Sequence, residues 1–248
     1  MKYPITLTFL LLLFLLFFTA CQSPDTTTPR STPAVVGNPA APGFLAGSSD
    51  PRAIEIADQV MEASGGRANW DAVDTLHWNF FGMRDLVWNK KTGDVTITSE
   101  KEKYEMKVNV WTNEGAVVRN GEAVTNPDSL KIFLNQAKEI WINDSYWLAL
   151  PFKLKDSGVQ LKYIGDGMTQ DSIAAEVLEL TFKSVGVTPE NKYLIYVDKK
   201  TNLVSQWDFY VKADDPQARF SMPWKGYKKV DGILLSEDRG QRRIEVYD

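Results

Sequence analysis

The sequence predicts an α+β fold in which a curved antiparallel sheet is covered by two helices. Three observations lead to that class. From Thr75 onward apolar and polar residues mostly alternate with the period of two that a half-buried strand requires. Turn-forming groups such as Thr92-Gly93-Asp94 and Asn120-Gly121 separate these runs at hairpin spacing. Only two stretches, one after Pro51 and one after Pro127, repeat their apolar residues at helical spacing.

The chain of 248 residues opens with Lys2, a nearly unbroken apolar run from Ile5 to Phe18, and small residues before Cys21. Met1 to Ala20 therefore reads as a secretory signal peptide. The run is roughly fourteen residues, short of the ~20 that a membrane-spanning helix needs. Phe18-Thr19-Ala20-Cys21 resembles the bacterial lipobox, with Phe18 standing where Leu is usual. Cys21 is the single cysteine, which excludes an internal disulfide and leaves lipidation as the obvious use of its thiol. A lone transmembrane anchor and a secreted protein with an incidental cysteine are the alternatives. Acyl chains such as palmitate on Cys21, added to a diacylglycerol thioether, exceed the two-signal requirement for stable attachment. Gln22 follows Cys21 where Asp would signal inner-membrane retention, so the expected location is the cell envelope, at the outer membrane, with either face open.

Ser23 to Asp50 is rich in Pro, Thr, Ser, Ala and Gly and is expected to be a disordered tether (residues 21–50), with the folded domain at 51–248. Ser49-Asp50-Pro51 starts the first helix, Ala53, Ile54, Ala57, Val60 and Met61 form its apolar stripe, and Gly65-Gly66 ends it. Gly66 to Asp74 is a connection carrying Trp70. A meander follows through Leu76, Trp78 and Phe80, then Leu86 to Trp88, Val95 to Ile97, and Tyr104, Met106, Val108 and Val110. Asn126-Pro127-Asp128 opens the second helix, whose stripe of Leu130, Phe133, Leu134, Ala137, Ile140 and Trp141 leads into an aromatic corner. Asn143-Asp144-Ser145 should end that helix, because these side chains compete for nearby backbone groups. Strands resume at Val159, at Leu178 to Phe182, and across a hairpin around Asp198 to Asn202, where Leu203, Trp207, Phe209 and Val211 share a face opposite Gln206, Asp208 and Tyr210.

Composition narrows function mainly by exclusion. The formal net charge is −4 and basic residues are scattered, so nucleic acid is not an expected partner. The one histidine, His77, has neither a second His nor an available Cys for a metal site, and reads as structural rather than as a catalytic base. Asp144, Asp198 and Asp208 are the carboxylates nearest large aromatics, but cap, turn and polar-face roles account for them, and neither catalysis nor a cofactor is expected. The aromatic load is high, with eight Trp and twelve Phe. A curved sheet with two helices has limited means of filling its concave side, so residual concavity lined by aromatics suits an apolar ligand. The candidate lining is Trp78, Phe80, Trp88, Trp147, Phe152, Tyr193, Trp207 and Phe209.

The order of elements resembles the lipoprotein-carrier (LolA/LolB-like) superfamily. More closely, Ala63-Ser64-Gly65-Gly66, Asn143 to Lys153 and Val185-Gly186-Val187-Thr188-Pro189 resemble an uncharacterised Bacteroidota lipoprotein family, over Pro51 to Asp248. The resemblance implies a strongly curved antiparallel sheet, an incomplete barrel, with helices covering its concave side. It also implies an apolar cavity that takes a lipid or acyl chain, in a protein held at the membrane through acylated Cys21 and expected to be a monomer. A structural or interaction lipoprotein with a filled core is the second reading, and a hydrolase the third.

Overall fold

The computed structural model describes residues 37–183 and 185–248. The expected signal peptide, Cys21 and the first part of the expected tether lie outside the described residues. The last part of that tether, residues 38–50, is built into the fold. The N–H groups of Ala41, Leu45 and Asp50 donate to the carbonyls of Lys155, Val159 and Leu161 at 2.9 to 3.0 Å. Phe44 packs against a hydrophobic core, and Ala46–Ser48 makes one 3-10 turn. The described part of the folded unit thus includes residues ahead of Pro51; an aromatic anchor and backbone groups on a neighbouring strand offset their poor composition.

Helix α1 (Pro51–Ala63) starts with Pro at its first position, as expected. The Asp50 side chain does not cap it; that carboxylate accepts instead from the Tyr163 N–H at 2.9 Å. Ile56 rather than Ile54 faces inward, together with Ala53, Ala57, Val60 and Met61. Gly65 and Gly66 close the helix with φ of 118° and 84°. Their N–H groups donate to the Glu62 and Met61 carbonyls. The expected connection then holds a short helix, α2 (Arg67–Ala72), which buries Trp70.

The meander comprises β1 (Thr75–Phe80), β2 (Arg84–Asn89), β3 (Asp94–Ser99), β4 (Tyr104–Asn109), β5 (Gly115–Arg119) and β6 (Glu122–Ala123). Its alternation is as predicted: Leu76, Trp78 and Phe80 are buried on one face, as are Tyr104, Met106 and Val108. After helix α3 (Pro127–Lys153) come β7 (Val159–Met168), β8 (Ala174–Phe182), β9 (Lys192–Asp198), β10 (Val204–Tyr210) and β11 (Phe220–Pro223). The chain ends with β12 (Lys225–Val230), β13 (Ile233–Asp238) and β14 (Ile244–Tyr247).

All strand pairs are antiparallel, in sheets of seven (β14-β1-β2-β3-β4-β5-β6), five (β11-β10-β9-β8-β7) and two (β12-β13) strands. The Trp224 N–H, between β11 and β12, donates to the Ser205 carbonyl of β10 at 2.9 Å and carries the β10–β11 ladder up to the start of β12, and Asp238 of β13 bridges to Arg243 ahead of β14. The result is a mixed α+β fold whose sheets do not close into a barrel, since the end strands β6 and β7 do not pair with each other.

Helix α3 contributes to two cores. Leu134, Ala137, Leu148 and Phe152 join the core of the seven-stranded sheet, whereas Leu150 and Leu154 join α1 and the five-stranded sheet in a second core. Fully burying each Leu or Phe of this kind contributes roughly 1.5–3 kcal/mol. Asn126 caps the helix by accepting from the Ser129 N–H at 3.0 Å. Contrary to expectation, Asn143-Asp144-Ser145 does not end the helix. The Asp144 carboxylate is fully buried and takes two hydrogen bonds, of 2.6 and 2.7 Å, from Arg84 on β2. Engaged there, its oxygens do not compete for backbone N–H groups. The irregularity falls instead at Ala149 (φ −110°, ψ 16°), just ahead of Pro151. Pro151 lacks the N–H that would bond the carbonyl of residue 147, and the buried guanidinium of Arg239 supplies the missing donor to the Trp147 carbonyl at 2.9 Å.

Candidate functional site

The inner face of the five-stranded sheet carries a row of rings set by strand register. Tyr193 on β9 lies opposite Phe209 on β10, and Phe209 lies opposite Phe220 on β11. Phe182 at the end of β8 extends the row, 6.0 Å from Tyr193 between ring centres. Neighbouring rings are 5.3 Å (Tyr193–Phe209) and 5.0 Å (Phe209–Phe220) apart. Above the row, α3 presents Trp147, edge-on to Trp207 at 4.6 Å and 5.9 Å from Phe220.

The helix and the sheet do not meet everywhere. At the Phe182–Tyr193 end they leave a cleft of about 320 Å³, at the small end of the roughly 300–1,000 Å³ range of ligand pockets. Its α3 wall is Trp141, Ile142, Tyr146 and Trp147; its sheet wall is Val159, Phe182 and Tyr193; and Val185 to Thr188 of the β8–β9 loop form the lip. Glu139, Lys153 and Asp156 are its charged members. Trp141 to Trp147 belong to the regular part of α3, ahead of the irregularity at Ala149, beyond which Leu150 joins the second core and Phe152 the first.

One polar group on the wall stands out. The Tyr146 hydroxyl is buried and has no hydrogen-bond partner among the described residues. Burial, with Tyr193 nearby, pushes its pKa well above the ordinary phenol value, so it is a neutral donor. The hydroxyls of Tyr196 and Tyr227, by contrast, donate to Asp208 at 2.8 Å and to the Val204 carbonyl at 2.7 Å. The Trp141 indole N–H on the same wall is also unpaired, but so are those of Trp78, Trp207 and Trp224 inside the cores. Tyr146 is therefore the more telling feature.

Of the aromatics expected to line a cavity, Trp147 and Tyr193 do so. Trp207 and Phe209 lie beside the cleft, Trp207 fully buried and stacked on Tyr193 at 4.8 Å. Trp78, Phe80, Trp88 and Phe152 are elsewhere, packed in the core of the seven-stranded sheet. Phe152 stacks on Trp70 there at 4.4 Å. Tyr146 and Phe182 lie outside the expected set; the density of large side chains around Asn143 to Ser145 is the only sequence signal for Tyr146, and the alternation of Leu178, Leu180 and Phe182 the only one for Phe182.

The weighed titratable residues all have local partners. Asp144 is bound by Arg84, Asp208 accepts from Gln206 and Tyr196, and Asp198 accepts from the Lys200 N–H within its turn. His77 is half exposed, 4.4 Å from the Tyr247 ring. Among the described residues no cluster of three or more His, Cys, Asp or Glu side chains could hold a metal ion. No described helix is long and apolar enough to cross a membrane.

The fold and site define a class: an unclosed antiparallel shell around a kinked helix, with a partly open aromatic cleft between helix and sheet. No protein-family model matches the chain, and no curated protein matches it. A solved structure of a DUF1329 family protein from Desulfovibrio piger is similar over 81% of this chain and 92% of that one, at 16% identity and a TM-score of 0.42. The likeness to lipoprotein carriers rests on the sequence alone.

Proposed function

We propose that this chain is a membrane-anchored lipoprotein of the bacterial cell envelope that holds a lipid or other hydrophobic ligand in the cleft between α3 and the five-stranded sheet. The unpartnered Tyr146 hydroxyl carries the reading. A buried hydroxyl without an acceptor costs free energy that an apolar side chain would avoid, and a ligand with a carbonyl or ester oxygen would relieve it. Aromatic walls with a few polar groups among them are the usual make-up of a small-molecule site.

Every member of both cores lies between Phe44 and Val246, so a chain beginning at residue 37 keeps them intact. Native mass spectrometry of residues 37–248, purified without detergent, is expected to show co-purifying lipid and uptake of a fluorescent fatty acid. A clean ligand-free mass with no uptake would overturn the reading. That result would favour the second one, a structural or interaction lipoprotein, which the dense packing around Trp78 and Trp207 supports. For the anchor, Cys21→Ser should release the full chain from membranes, and unchanged partition would refute acylation.

A further inference from the structure

The row of rings leads past Phe220 to a second cleft, of about 530 Å³, and Trp147 belongs to the walls of both. Phe220, Met222 and Pro223 form one side of it, and the turn from Arg239 to Arg242 the other. Its chemistry differs from that of the first. Two of its lining residues are arginines and none is acidic, in a chain whose net charge is −4.

Arg239 is buried, yet its acceptors are all neutral: the Ser236 hydroxyl at 2.6 Å and the carbonyls of Asp238 and Trp147 at 3.2 and 2.9 Å. That leaves five N–H donors with three acceptors, and its Nε has none among the described residues. The Asp238 carboxylate is turned to the Gly240 N–H at 2.7 Å, and no ion pair to Arg239 forms among the described residues. The guanidinium lies 3.8 Å from the centre of the Trp224 ring. Burial pushes its pKa down to about 9, which leaves it cationic at neutral pH. Bonding the carbonyl freed by Pro151 requires one donor but no charge, so that role does not explain a buried unpaired cation, which is costly to keep. Arg242, exposed on the same cleft, adds a second positive charge.

We propose that Arg239 and Arg242 form a binding site for an oxyanion, a carboxylate or phosphate, at the Phe220 end of the cleft. The ligand is then an amphipathic anion whose apolar part lies on the Tyr146 side of Trp147 and whose charged end lies against the arginines. The tail of this assignment rests on the acyl-binding reading above; the head does not.

Residues 37–248 would be titrated with palmitate, with hexadecanol, which has the same chain length and no charge, and with inorganic phosphate. Tryptophan fluorescence reads the chain, and the 15N–1H resonance of Arg239 Nε reads the site directly, since Arg239 variants could unfold the kink. Palmitate is expected to bind at least tenfold more tightly than hexadecanol, Arg242→Gln to reduce that preference several-fold, and the Nε resonance to move with palmitate. Equal affinities with a motionless Nε resonance would overturn the oxyanion site and leave the apolar cleft standing. Phosphate moving the resonance while neither chain binds would uphold the site, as one for free phosphate, and refute the apolar reading. No response to any of the three would end both.

Discussion

Tyr146→Phe removes one oxygen from the cleft wall, and its two expected consequences have opposite signs. In the ligand-free protein the hydroxyl is buried without an acceptor among the described residues, an arrangement that costs about 1–3 kcal/mol. The ring itself stays, edge-on to Phe182 at 5.7 Å and beside Tyr193 at 5.8 Å, so no packing is lost. Phenylalanine should therefore stabilise the empty protein by roughly 1–3 kcal/mol, raising Tm by about 2–4 °C per kcal/mol for a domain of this size. Ligand affinity should fall, because a neutral hydrogen bond contributes about 0.5–1.5 kcal/mol, or roughly two- to tenfold in Kd. Urea titrations of delipidated protein and fluorescent fatty-acid titrations measure the two effects on the same samples. A destabilised empty Tyr146→Phe protein with unchanged affinity would refute the reasoning, since the hydroxyl would then serve the fold.

Three further outcomes follow from the packing. Arg84→Met strands the buried Asp144 carboxylate and should cost about 3–5 kcal/mol in urea unfolding, whereas Arg84→Met with Asp144→Leu should recover most of it; a single-variant loss under about 1 kcal/mol would show the pair to be dispensable. Burial already pushes the Asp144 pKa up against the pull of Arg84, so in Arg84→Met the folded state should bind more protons than the unfolded above pH ~4, making the loss smaller at pH 4 than at pH 7. Gly65→Ala places a Cβ 2.5 Å from the Gly232 carbonyl oxygen at a φ of 118° and should cost at least about 1–3 kcal/mol from backbone strain alone, read as a lower urea midpoint. Burial raises the pKa values of Tyr146, Tyr193 and Tyr227. Above pH ~10 the unfolded chain releases protons that the folded one keeps, so stability should fall between pH 9 and 11; a flat urea midpoint across that window would contradict it.

What could be read from the sequence was what local spacing determines. Leu76-Trp78-Phe80, the Asn126 cap and the Gly65-Gly66 stop all encode their conformation within a few residues, and each forms the element expected of it. Features set by distant partners were hidden. Asp144 reads as a helix terminator until Arg84, sixty positions away, is seen to engage it. Gln206 and Asp208 read as a wet face of β10, yet both are buried, because Tyr196 and the Gln170 N–H bond to them. The cleft was half legible for the same reason. Aromatic density around Tyr146 and Trp147 marked the region, but nothing local distinguishes Trp147, on the cleft wall, from Trp78, deep in the other core.

The segment ahead of α1 bears on self-association. Strand β7 is an edge of the five-stranded sheet, and such edges invite pairing with a second chain. Here Leu45 and Asp50 donate to the Val159 and Leu161 carbonyls, while the Ser49 hydroxyl and Asp50 carboxylate accept from the Leu161 and Tyr163 N–H groups. The edge is thus occupied by the chain's own leading residues. A protein begun at Pro51 would lose that guard and bare a hydrogen-bonding strip, with Leu161 and Val159 behind it, to its neighbours in solution. Residues 45–50 therefore cover that edge and work against edge-to-edge polymerisation.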